Sequence, residues 1–147
     1  DRREAIHARR DKLVADLARL HQEFGDAAKS FRERRVVTFH GAFGYLFARY
    51  GLELAGCVEP FPGKEPSVAY LRGLVDLMRR LKLDTIFAEP QLPETAARLL
   101  AEEIGGQVER LDPCETILPT APERTYVERQ RDNLAVLQRV LGAPARP

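Results

Sequence analysis

The chain has 147 residues and is 44% hydrophobic, enough for one domain with a real core. Lys and Arg number 23 and Asp and Glu 22, so a net charge of +1 supplies no long-range field for nucleic acid or an anionic membrane. Tryptophan is absent, and Phe and Tyr sit inside apolar runs, which argues against a stacking platform for single strands.

Residues 1–24 read as a long helix with Ile6, Leu13, Leu17, Leu20 and Phe24 on one stripe, and Arg2, Arg3, Arg9, Arg10 and Lys12 among the residues facing away from it. Gly25-Asp26 is expected to end it, and a short polar helix over 27–34 to lead into the first strand. That strand is predicted over 36–39, followed by a helix over 42–50 that stops at Gly51, a natural residue for a helix exit. The second strand covers 54–58. An irregular loop with Pro60, Pro62, Gly63 and Pro66 then reaches Ser67, which caps a helix burying Leu71, Leu74, Val75, Met78 and Leu81.

The third strand is predicted over 85–88. Pro93 opens the next helix, Gly105-Gly106 closes it, and the fourth strand covers 108–111. A loop with Pro113, Pro119 and Pro122 precedes a last helix over about 125–141, and 143–147 are expected to fray. Helix, then four strand–helix repeats, predicts an α/β fold: a four-stranded parallel sheet, order about 2-1-3-4, with helices on both faces. The chain begins without Met inside a helical pattern and lacks the apolar region of a signal peptide, so we expect a piece of something longer. No run approaches the ~18 apolar residues of a membrane span.

Four apolar runs each stop on an ionisable residue: His40, Glu59, Glu89 and Asp112. In a parallel sheet these gather along the carboxyl edge, where ligands bind. One imidazole among several carboxylates suits a divalent metal. Plainer readings stand beside this one: His40 as a core or capping histidine, and Glu59-Pro60 and Glu89-Pro90 as strand terminators. His7 and His21 are 14 positions apart on one helix, about 21 Å, too far to share a metal, and read as solvated surface residues. Cys57 and Cys114 read as buried strand-end residues. There is no G-x-G-x-x-G, Walker A, G-x-S-x-G or H-E-x-x-H motif. A zinc site needs three or four protein ligands, and this chain offers an incomplete set.

The run V-V-T-F-H-G-A-F-G-Y-L-F-A-R-Y-G-L, residues 36–52, resembles the start of the C-terminal lobe of zinc- and manganese-binding solute-binding proteins of bacterial ABC transporters. E-P-S at 65–67, I-F-A-E-P-Q at 86–91, L-D-P at 111–113 and T-Y-V-E-R-Q-R-D-N-L at 125–134 follow in that family's order. The resemblance implies two α/β lobes joined by a long helix, with metal held between them. Residues 1–34 would then be the end of that connector and its lead-in, and 35–142 the metal-binding lobe. The N-terminal lobe, which brings two histidine ligands in the family, lies outside this chain.

By the same resemblance, His40 is expected to be a metal ligand, Glu115 in C-E-T-I-L an acidic ligand, and Glu89 a carboxylate behind the ligands that orients them. The cargo implied is Zn²⁺, with Mn²⁺ as the alternative, since imidazole favours zinc. Only the neutral ring binds metal, so affinity should fall as pH drops through the ordinary histidine range, about 6.5. The implied partner is the transporter permease and the location is periplasmic or extracellular, with no enzyme activity and no nucleic acid. Two other readings remain: a chelatase that inserts a divalent ion into a tetrapyrrole, and a structural α/β interaction domain with solvated rim charges.

Overall fold

In the computed structural model, which describes residues 2–61, 63–91, 95–117 and 122–142, strands and helices alternate after one long helix. The elements are α1 (Arg2–Ala28), β1 (Arg35–Thr38), α2 (Gly44–Tyr50), β2 (Glu53–Cys57), α3 (Val68–Leu81), β3 (Thr85–Ala88), α4 (Thr95–Glu103), β4 (Gln107–Arg110) and α5 (Tyr126–Leu141). All four strands are parallel, in the order β2-β1-β3-β4. This is the expected architecture, and each strand lies within one residue of its predicted span. Pro93 and Pro119, and the tail expected to fray, fall outside the described residues.

The sheet separates two cores. On one face Leu20, Phe24 and Ala28 of α1, Phe47 of α2 and Leu134, Leu137 and Leu141 of α5 pack on Val36, Phe87 and Leu111. On the other, Leu74, Val75 and Met78 of α3 and Ala97, Leu100 and Ala101 of α4 cover Val37, Val58, Ile86 and Ala88. Alternate strand residues therefore feed opposite cores, as a sheet covered on both sides requires. Leu74 of α3 packs over Gly56 in β2, where a Cβ atom would lie 2.5 Å from Leu74 Cδ1 and make that side chain shift. Local signals set the helix ends: Ser67 accepts from the Tyr70 N–H, Thr125 and Glu128 form a capping box, and Gly51 closes α2 at φ 69°.

Two expectations need correcting. Gly25-Asp26 does not end α1, which continues to Ala28 because Phe24, Ala27 and Ala28 are buried on the core face. Their burial outweighs the roughly 1 kcal/mol that glycine costs inside a helix. The short helix expected over 27–34 is not formed beyond Ala28. Arg32 and Glu33 instead donate their N–H groups to the carbonyl of Leu141, tying this stretch to the end of α5. Arg34 reaches back to the Ala28 carbonyl at 2.7 Å and across to the Gly51 carbonyl at 3.3 Å, pinning the exits of α1 and α2 together.

The predicted stripe of α1 divides in two. Leu20 and Phe24 are buried, whereas Ile6, Leu13 and Leu17 are exposed along the first half. That half of the helix projects past the lobe.

Candidate metal centre

Backbone pairing runs beyond the strand ends, and this builds the rim. Phe39 donates to the Phe87 carbonyl, Val58 to that of Thr38 and Glu59 to that of Phe39, at 2.7–2.9 Å. His40 and Glu59 thus emerge side by side past β1 and β2, and Glu89 follows β3 on His40's other side. The Thr38 hydroxyl donates to the His40 carbonyl at 2.6 Å and fixes the turn. Phe39 sets its ring edge-on to the imidazole, with centroids 4.9 Å apart.

The imidazole is held between two carboxylates. Its Nε2 lies 2.8 Å from Glu59 Oε2, and its Nδ1 lies 3.5 Å from Glu89 Oε2. The other oxygen of Glu59 accepts the Gly63 N–H at 3.0 Å. His40 and Glu59 side chains are 16% and 18% exposed, so solvent reaches this pair, while Glu89 is 1% exposed. Neither oxygen of Glu89 has a hydrogen-bond partner, and at 3.5 Å the contact with His40 is too long to count as one. Burial pushes the Glu89 carboxyl above its ordinary pKa, against the pull of the backbone and of His40.

A carboxylate only accepts, so the Nε2–Glu59 bond places a proton on Nε2. A metal taking Nε2 must displace that proton. Nδ1 can then carry a hydrogen toward Glu89, the outer carboxylate contact that orients metal-binding histidines elsewhere. A buried, unpartnered carboxylate behind a half-buried imidazole is therefore a donor set that fits a divalent cation. It is also an incomplete one: among the described residues no three His, Cys, Asp or Glu stand together to hold an ion.

The fourth rim residue is diverted. Asp112 is gripped by Arg129, Nε to Oδ2 at 2.5 Å and Nη2 to Oδ1 at 2.8 Å. Asn133, buried in α5, accepts the Asp112 N–H at 2.8 Å and donates to its carbonyl at 2.7 Å. The sequence placed Asp112 on the rim but gave no sign of this clamp; Asn133 stood out only as part of the closing N-L. Replacing Asn133 with Leu strands both Asp112 backbone groups and should cost about 2 kcal/mol in urea unfolding, and Arg129→Ala should cost less. Equal stability of Asn133→Leu and wild type would dismiss the clamp.

Glu115 is exposed on the loop after β4. Cys57 is buried at the end of β2, as expected, and its thiol touches the Phe39 carbonyl at 3.1 Å; burial pushes its pKa up. Cys114 departs from expectation: it is half-buried in the loop after β4 at φ 62°, and both cysteines are free. His21 is exposed but not simply solvated. Arg49 donates to its Nε2 at 3.1 Å, which leaves Nδ1 to donate to the Tyr50 hydroxyl at 2.9 Å.

Against known proteins, the family described as zinc-uptake complex component A, periplasmic (ZnuA), matches residues 1–140. This chain belongs to that family. A putative metal-binding protein of Treponema pallidum (strain Nichols) is 32% identical over 134 residues, which cover 91% of this chain and 42% of that protein. The high-affinity zinc uptake system protein ZnuA of Bacillus subtilis (strain 168) is 28% identical over 140 residues, 94% of this chain and 44% of its own. The laminin binding protein Lmb of Streptococcus agalactiae superposes with a TM-score of 0.75 at 32% identity, covering 84% of this chain and 47% of that one.

The Zn(II)-bound ZnuA-like domain of Streptococcus pneumoniae AdcA superposes with a TM-score of 0.80 at 24% identity, over 97% of this chain and 54% of that one, and shares its fold. This ZnuA-family chain spans less than half the length of the curated relatives it matches, 42% and 44% of the two named. The chelatase alternative finds no support in this kinship. A cavity of about 370 Å³ does exist, but Arg35, Thr85 and Gln107 line it at the opposite, amino edge of the sheet. It offers a macrocycle no seat beside His40.

Proposed function

We propose that this chain is the C-terminal lobe of a zinc-binding receptor that hands its ion to an ABC-transporter permease outside the cytoplasm. The observation that carries this reading is His40 on the sheet rim, open on one side and backed by the unpartnered carboxylate of Glu89, in a chain of the ZnuA family. In this reading His40 ligates the ion, Glu89 orients the ring, and Glu115 brings an acidic ligand from its exposed loop. A second lobe of the full protein supplies the remaining ligands. Imidazole favours Zn²⁺ over Mn²⁺. The role is capture and release, not catalysis.

The surface fits a missing wall. Tyr45 at the start of α2, Phe61 after β2, Ile117 after β4 and Tyr126 at the start of α5 are exposed on connections that leave the carboxyl ends of the strands. With the bare stripe of α1, they leave several large apolar side chains exposed to water. A long helix shared by both lobes would allow only modest movement between them, so release would come from small shifts of rim loops.

The test is zinc affinity of the full-length gene product by competition with a chromogenic chelator. His40→Ala should weaken binding about tenfold or more, and Glu115→Ala should weaken it less. Unchanged affinity in His40→Ala removes the proposal.

A further inference from the structure

The geometry points to Glu59 as a further metal ligand contributed by this lobe beside His40, so that zinc takes the place of the proton shared by Glu59 Oε2 and His40 Nε2. This rests on His40 binding metal, as proposed above. The two donor atoms are 2.8 Å apart. In a tetrahedral zinc site, with bonds of about 2.0–2.2 Å, a nitrogen and an oxygen ligand stand about 3.3 Å apart. Rotating the Glu59 carboxylate off the Nε2 axis, with the pair widening by about half an ångström, would place the metal between the two donors. The ring proton leaves Nε2 and, exchanged through water, is regained at Nδ1, facing Glu89, so the imidazole binds as a neutral ligand.

Three further features favour a ligand over a bystander. Glu59 Oε1 is satisfied by the Gly63 N–H, which aims Oε2 at the ring and gives the carboxylate the outer hydrogen bond that metal-binding carboxylates have. The Glu59 N–H is tied to the Phe39 carbonyl at 2.8 Å, so its backbone stays in register with His40. On the far side of the ring, Glu89 is 1% exposed with both oxygens unpartnered, which marks this imidazole as built for more than the apo contacts it makes. The sequence offered Glu59 both as a rim carboxylate and as a strand terminator before Pro60; the structure gives its side chain a partner that the second role does not require.

Zinc titration of the 147-residue chain tests this, followed by calorimetry and by the nitrogen shifts of the His40 ring, with Glu59→Gln, Glu59→Ala and His40→Ala compared. Glu59→Gln keeps an acceptor for Nε2 and so preserves the fold, but amide oxygen is a poor zinc ligand. If Glu59 ligates, both Glu59 variants should weaken zinc binding at least fivefold, with zinc still on Nε2. Unchanged or tighter binding in both, with His40→Ala still abolishing it, overturns the ligand role and makes Glu59 a competitor for the ring. Unchanged binding in His40→Ala sinks the functional reading together with this one.

Discussion

Glu89→Gln is expected to stabilise the chain at neutral pH by about 1–2 kcal/mol while weakening zinc binding through His40 by 10–100-fold. The two effects have one origin. Glu89 is buried with no hydrogen-bond partner on either oxygen, and burial raises its carboxyl pKa above the ordinary 4.5. The groups facing it are His40, which favours the charged form, and the Cys57 thiol, whose own pKa its charge helps to raise. An acid whose pKa is raised by folding holds its proton longer in the native state than in the unfolded one. Stability therefore falls as pH climbs from about 4.5 through the raised value, and the loss stays in full above it.

Gln carries no such penalty, so the variant's advantage should be absent near pH 4 and present at pH 7. Urea denaturation at those two values reads it directly. A Glu89→Gln protein less stable than wild type at pH 7 would mean the carboxylate is compensated after all. The binding loss arises because an amide orients the Nδ1 hydrogen less strongly than a carboxylate does. A residue that costs stability in the empty protein and assists the ion is what a functional site predicts, and what a core glutamate selected for packing does not.

What was legible in the sequence follows the range of each interaction. Strand ends were readable within one residue because short apolar runs and the Gly and Pro signals that bound them are local. The sheet order followed from handedness rules once the strands were known, and it put His40 between its neighbours on the rim. Membership of the zinc-uptake family was legible in five separated motifs. Not legible were contacts formed between distant segments: the clamp of Arg129 and Asn133 on Asp112, the Arg49–His21–Tyr50 chain, and the tie of Arg32 and Glu33 to the end of α5. The helix break at Gly25 failed for the same reason, since a local glycine signal lost to burial against α5 and α2. Glu59 shows the limit most clearly. Its place on the rim was readable, while its 2.8 Å approach to His40 depends on pairing carried two residues past the end of β2.

Phe47→Ala is expected to cost about 3–5 kcal/mol, the largest stability loss of any substitution considered for this chain. Phe47 is 2% exposed at the centre of the core formed by α1, α2 and α5 over one sheet face. Its ring stacks with that of Phe43 at 5.7 Å, and its carbonyl receives the N–H groups of Gly51 and Leu52 that close α2. Truncation removes the ring but leaves those backbone bonds, so the loss belongs to the cavity. A domain of this size has roughly 5–15 kcal/mol in hand, so the variant should fold but unfold at much lower urea. Tyr45, two residues earlier on the same helix and 96% exposed, is the control: Tyr45→Ala should stay within about 0.5 kcal/mol. A loss below 1 kcal/mol in Phe47→Ala would mean that α2 is not anchored through this ring. Because α2 begins four residues after His40, the same truncation should also loosen the rim turn, and zinc binding in the variant should weaken even at temperatures where it remains folded.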